Sequence, residues 1–83
     1  MTAHEGNPYQ YYLWDLGALI KEYALDAKLQ CSKQDDEEAR LLWRGHVLCY
    51  SQIISLMQSQ ADTFGISRSE LHLDDIDPDR DLI

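Results

Sequence analysis

Apolar residues recur at spacings that alternate between four and three over two long stretches of this chain, and that rhythm predicts two amphipathic helices. In the first stretch, Tyr9, Leu13, Leu16, Ile20, Tyr23 and Ala27 form one stripe at about 100° per residue, widened by Tyr12 and Leu19. Tyr11, Trp14, Ala18, Leu25 and Leu29 fall on roughly the opposite side of the same helix. Asp15, Glu22, Asp26 and Lys33 occupy one strip between these stripes, and Gln10, Lys21 and Lys28 the other. A helix apolar on two opposed sides is expected to be sandwiched. The second stretch carries an unbroken heptad series of Ala39, Trp43, His46, Tyr50, Ile53, Met57, Gln60 and Phe64, broadened by Leu42, Val47, Cys49, Ile54, Leu56 and Ala61. Its polar side consists of Arg40, Arg44, Ser51, Ser55, Gln58 and Asp62, interrupted by Leu41 and Leu48.

The ends of both helices have chemical markers. Asn7 followed by Pro8 suits a helix start, because Asn accepts from free backbone N–H groups and Pro lacks the N–H that would go unpaired there. The first helix is expected to run from residue 8 to about 33, with Gly17 either permitting close backbone packing or merely tolerated. A short turn follows. Asp35 with Glu38 has the shape of a capping arrangement, so the second helix is placed at about residues 36–64. Gly65 ends it as a left-handed cap, with Ile66 set for the apolar contact that accompanies such stops. Ser67 and Glu70 suggest one further helical turn at 68–72. From Asp74 onward the chain is rich in Asp and is expected to be an extended acidic tail. The organisation is thus a flexible segment at 1–7, a helical hairpin at 8–66, and a helical turn with tail at 67–83.

Magnitudes then argue for assembly. A buried large apolar side chain contributes roughly 1.5–3 kcal/mol relative to exposure, whereas ordering each residue costs roughly 1–2 kcal/mol of backbone entropy. A lone hairpin has one line of contact and leaves about half of these side chains wet. The fold class expected is therefore all-α, an antiparallel two-helix hairpin paired into a homodimeric four-helix bundle. The interface is assigned to Trp14, Leu25, Leu42, Trp43, His46, Tyr50, Ile53, Ile54 and Met57. An alternative cover for the second face of helix one is Leu71, Leu73 and Ile76 from the C-terminal segment.

Charge narrows the partners. The 83 residues hold 15 acids against seven Lys and Arg, a formal charge of −8. That balance disfavours direct binding to nucleic acid or anionic membrane and favours a basic protein surface. The N-terminal residues lack the basic and apolar regions of a signal peptide, no apolar run approaches membrane-spanning length, and two cysteines make no disulfide framework. A cytoplasmic location with reduced thiols is the expectation. Cys31 and Cys49 should not bridge within one chain, being separated by about 15 Å along the hairpin.

The candidate chemistry is thin. His46 and Cys49 are half a metal site at most, since a closed zinc site needs four ligands, and a core histidine is the simpler reading. The Glu-x-x-His motif of di-iron bundles is absent from the sequence. Asp75, Asp77, Asp79 and Asp81 alternate as in a calcium loop, but Arg80 stands where glycine is needed and no Glu follows at the twelfth position. The aromatic cluster Tyr9, Tyr11, Tyr12 and Trp14 reads mainly as packing, with one or two residues as partner anchors. Ser51, Ser55 and Ser59 form a ridge that either admits a close neighbour or faces solvent. No nucleophile stands beside a positioned base, so no enzyme, cofactor or metal is expected. The function expected is a non-enzymatic interaction module: an adaptor, regulator or inhibitor acting as a homodimer. The alternative is an acidic inhibitor that mimics phosphate charge and blocks a nucleic-acid-binding protein, using Asp15, Glu22 and Asp26 with Asp75, Asp77, Asp79 and Asp81. On that alternative, a phage or mobile element is the expected source, since such elements often encode small acidic inhibitors of this kind.

Overall fold

A computed structural model describes residues 7–83, and among them every regular element is helical. Helix α1 spans Pro8–Lys33 and helix α2 spans Glu37–Thr63; they pack against each other as an antiparallel hairpin. The Asn7 side chain caps α1 by accepting from the N–H groups of Tyr9 and Gln10, both at 3.1 Å. The cap of α2 lies one residue later than the capping pattern suggested: Asp36, not Asp35, accepts from Ala39 N–H at 3.0 Å. Glu37 and Glu38 then place negative charge in the first turn, where the helix dipole favours it. At the far end Gly65 adopts φ +70°, and the Ile66 and Gly65 N–H groups donate to the Ala61 and Asp62 carbonyls at 2.8 and 3.3 Å. This is the Schellman stop, with Ile66 packed on the core as its apolar partner. Apart from Asn7, the segment read as flexible lies outside the described residues.

The buried side of α2 differs from the heptad series. Val47, Ser51, Ile54, Gln58 and Ala61 are the enclosed residues, so the true seam is rotated toward what looked like the polar side. Trp43, Tyr50 and Met57 are half-buried at its edge, whereas His46, Ile53, Gln60 and Phe64 are exposed. The rotation has a cause in the C-terminal segment. Residues 66–83 do not form an extended tail. They fold back into the groove along one side of the hairpin, with a 3₁₀ turn at Arg68–Leu71 and a one-turn helix α3 at Pro78–Asp81. Four of the nine buried apolar residues, Leu71, Leu73, Ile76 and Leu82, come from this segment. The hairpin itself contributes mostly small groups, Gly17, Ala24 and Ala27 on α1 and Val47, Ser51 and Ala61 on α2, around the fully buried Ile54.

Polar groups fix the segment in place. The buried Gln58 side chain donates from Nε2 to the Leu73 and Ile76 carbonyls at 3.0 and 2.8 Å. Those carbonyls lie where no strand or helix partner reaches them, and a buried acceptor needs a donor. Leu71 crosses α1 at Gly17, where any Cβ would overlap the Leu71 carbonyl. Gly17 is therefore a close-approach glycine. His72, in the left-handed region at φ 59°, stacks on Trp14 with ring centroids 4.0 Å apart, and its Nδ1 lies 3.0 Å from the Trp14 carbonyl oxygen. Asp77 and Pro78 begin α3 as Asn7 and Pro8 begin α1, the Asp77 carboxylate accepting from Asp79 and Arg80 N–H.

Candidate functional site

With one side of the hairpin filled, the opposite side is open. The Cα atoms extend 48 × 26 × 16 Å, and the short dimension accommodates a single layer of helices plus the C-terminal segment. On the open side α1 presents Tyr12, Leu16, Leu19 and Tyr23, and α2 presents Leu42, His46, Ile53 and Leu56. Trp43, Tyr50 and Met57 form its floor by packing on the core. The Tyr23 and Tyr50 rings bridge the two helices, 6.5 Å apart and tilted by 48°, and His46 lies beside Trp43 at 5.1 Å. Tyr12, Leu42 and Leu56 are each more than 60 % exposed, at 66, 67 and 63 %. Isolated apolar residues on a surface are ordinary; here several large ones share one side of the two helices. Near one end of α2 it deepens into a hollow of about 320 Å³ between Leu13, Leu56, Met57, Phe64, Ile66 and Leu71.

The residues assigned to an interface divide into three groups. Leu42, His46 and Ile53 stand on the open face, with Trp43, Tyr50 and Met57 beneath them. Trp14 and Leu25 lie toward the other side of α1: Trp14 stacks on His72, and Leu25 borders a hollow with Asp75 and Ile76. Ile54 is wholly enclosed within the chain and has no surface to offer a partner. His46 is exposed on the single chain, beside Trp43 on the open face.

The acids separate just as clearly. Asp15, Glu22 and Asp26 are exposed along one strip of α1. Most of the C-terminal acids are engaged within the chain. Asp75 pairs with Lys21 at 2.8 Å, and that hydrogen bond holds its carboxyl below the usual range. Asp81 pairs with Arg80 at 2.8 Å and also accepts from Asp77 N–H, which together lower it to about 2. Asp77 is the α3 cap, and Asp79 faces solvent. On α2, the hydrogen bond from Arg68 lowers the Asp62 carboxyl.

Among the described residues no three His, Cys, Asp or Glu side chains converge as metal ligands. The cysteines are both free: the Cys31 thiol points at the Arg40 carbonyl, 3.5 Å away, and Cys49 is exposed. No helix of the described residues is long and apolar enough to cross a membrane. Sequence reasoning missed Gln58 and Ser51 as buried groups. It also missed α3, although Asp77-Pro78 repeats the signature of Asn7-Pro8. No family model matches this chain, and neither does any curated protein or solved structure.

Proposed function

We propose that the chain is a non-enzymatic protein–protein interaction module, an adaptor, regulator or inhibitor, whose working form is a homodimer assembled through the open face. The observation that carries this reading is the asymmetry of the hairpin. Its own C-terminal segment covers one broad side, while the other leaves Tyr12, Tyr23, Leu42, Ile53 and Leu56 in water.

Area supports a second copy as the occupant. The 27 residues of α2 give a face about 40 Å long, and two helices side by side make it about 20 Å wide. The footprint, about 800 Å², matches what one partner commonly contributes to a stable complex. An apolar stripe along two antiparallel helices is self-complementary under a twofold axis, and closing it against itself makes a four-helix layer. The exposed strip of Asp15, Glu22 and Asp26 would remain outside, suited to a basic partner surface. A phosphate-mimicking inhibitor would have to rest mainly on those three acids, since Asp75, Asp77 and Asp81 are held within the fold.

Light scattering on the purified chain tests the assembly. The expected mass at micromolar concentration is about twice the 9.6 kDa of one chain. A cooperatively folded species at the single-chain mass would overturn the reading.

A further inference from the structure

The C-terminal segment fills its groove by a repeated device, an apolar side chain between the helices with a polar group beside it meeting a cation of α1. Ile76 is buried next to Asp75, which pairs with Lys21. Leu82 is buried next to Asp81, whose carbonyl accepts from Lys28 Nζ at 2.5 Å. At Ile83 the groove widens toward the interhelical turn into a hollow of about 270 Å³. Its apolar wall is Val47, Leu48 and Leu82, and its cations are Lys28, Arg40 and Arg44.

That local charge opposes the net −8 of the molecule. Among the described residues the ion pairs engage Lys21, Arg68 and Arg80, and no carboxylate lies within pairing distance of the three cations at the hollow. Arg40 donates to the Gln34 carbonyl at 3.0 Å. The exposed Arg44 side chain makes no hydrogen bond or ion pair with another described residue, so its planar fork of donors is available to a carboxylate.

We propose that this hollow binds a small carboxylate carried on a short apolar chain, the carboxylate meeting Arg44 and the chain lying on Val47, Leu48 and Leu82. The volume, just under the roughly 300 Å³ at which small-molecule pockets begin, selects a ligand of about ten heavy atoms. A neutral ligand would leave the guanidinium without its partner, and a purely polar anion would leave the apolar wall wet. None of these residues belongs to the open face, so the site is independent of the homodimer reading.

The test is an amide-resolved NMR titration with n-octanoate, run beside n-octanol as the neutral ligand of equal chain length. Octanoate is expected to saturate with a dissociation constant on the order of 1 mM, ordinary for a ligand of this size. Shifts should centre on Val47, Leu48 and Leu82, and octanol should bind about tenfold more weakly, as should octanoate to Arg44→Gln. Arg44 is exposed, and an unchanged circular dichroism spectrum would establish that the variant folds; Arg40→Gln serves as a second variant. The proposal is overturned by equal affinity for acid and alcohol, by shifts centred on Tyr23 and Ile53, by full affinity in both Arg variants, or by no saturation.

Discussion

Gly17 of α1 and Leu71 of the C-terminal segment approach so closely that a Cβ at residue 17 would overlap the Leu71 carbonyl. The neighbour is backbone, so relief requires moving the whole segment. In an isolated helix, Gly17→Ala would gain about 1 kcal/mol of helix propensity. Here overpacking of roughly 1–3 kcal/mol opposes that gain. The net loss should be roughly 0–2 kcal/mol, toward the upper end because the obstacle is backbone, read from urea midpoints. A more stable variant would mean that the segment does not sit against α1.

Gln58 is a second anchor, and its loss isolates two acceptors. Gln58→Leu keeps the approximate volume but removes the donor shared by the Leu73 and Ile76 carbonyls. Leaving buried acceptors unpaired costs about 1–3 kcal/mol each. A loss of about 2–6 kcal/mol is expected, with faster hydrogen exchange through residues 72–83. Unchanged exchange there would contradict the anchoring role.

Association should respond to the open face and not to the filled side. Ile53→Glu, on the open face, is expected to give the single-chain mass at micromolar concentration, because a dimer would bury the new charge without a partner. Leu25→Glu, on the side of the C-terminal segment, should leave the mass unchanged. The opposite pattern would move the interface to the other side of the hairpin.

Acid should weaken the fold through its paired carboxylates. Asp62 and Asp75 are lowered by hydrogen bonds from Arg68 and Lys21, and Asp81 is lowered to about 2 by Arg80. A depressed carboxyl stabilises the folded state above its unfolded value of about 3.9, and the contribution is lost as pH falls through the folded value. The melting temperature should therefore drop between about pH 4 and pH 2, modestly, since these pairs are exposed and screened by salt. Asp81→Asn should flatten that slope; an unaltered profile would show that the Arg80 pair contributes nothing.

How far the fold was legible differs by element. Local chemistry is readable in order: Asn7-Pro8, the Asp-rich start of α2, Gly65 and Ser67 each act within a few residues of themselves, and the structure places caps or stops at each. The rotational setting of α2 was not readable in the same way. Ser51 and Gln58 look like solvent residues until Leu73 and Ile76 arrive to cover them, and those partners lie 15 and 18 residues away from Gln58. The Asp content of the last ten residues concealed their role, because the burial is done by the Ile76, Pro78 and Leu82 between the charges.

By itself the sequence determined two long helices, their ends and their antiparallel pairing, because helix period and capping depend on near neighbours. Only the tertiary structure decided which side of the hairpin is closed and which is left open. That choice depends on shape across the chain: Gly17 and the small residues of both helices make a groove that the C-terminal aliphatic side chains fit, while the other side carries large exposed side chains such as Tyr12, Tyr23 and Leu42. Periodicity reports that a face is apolar; the partner that covers it is set by packing between distant parts of the chain.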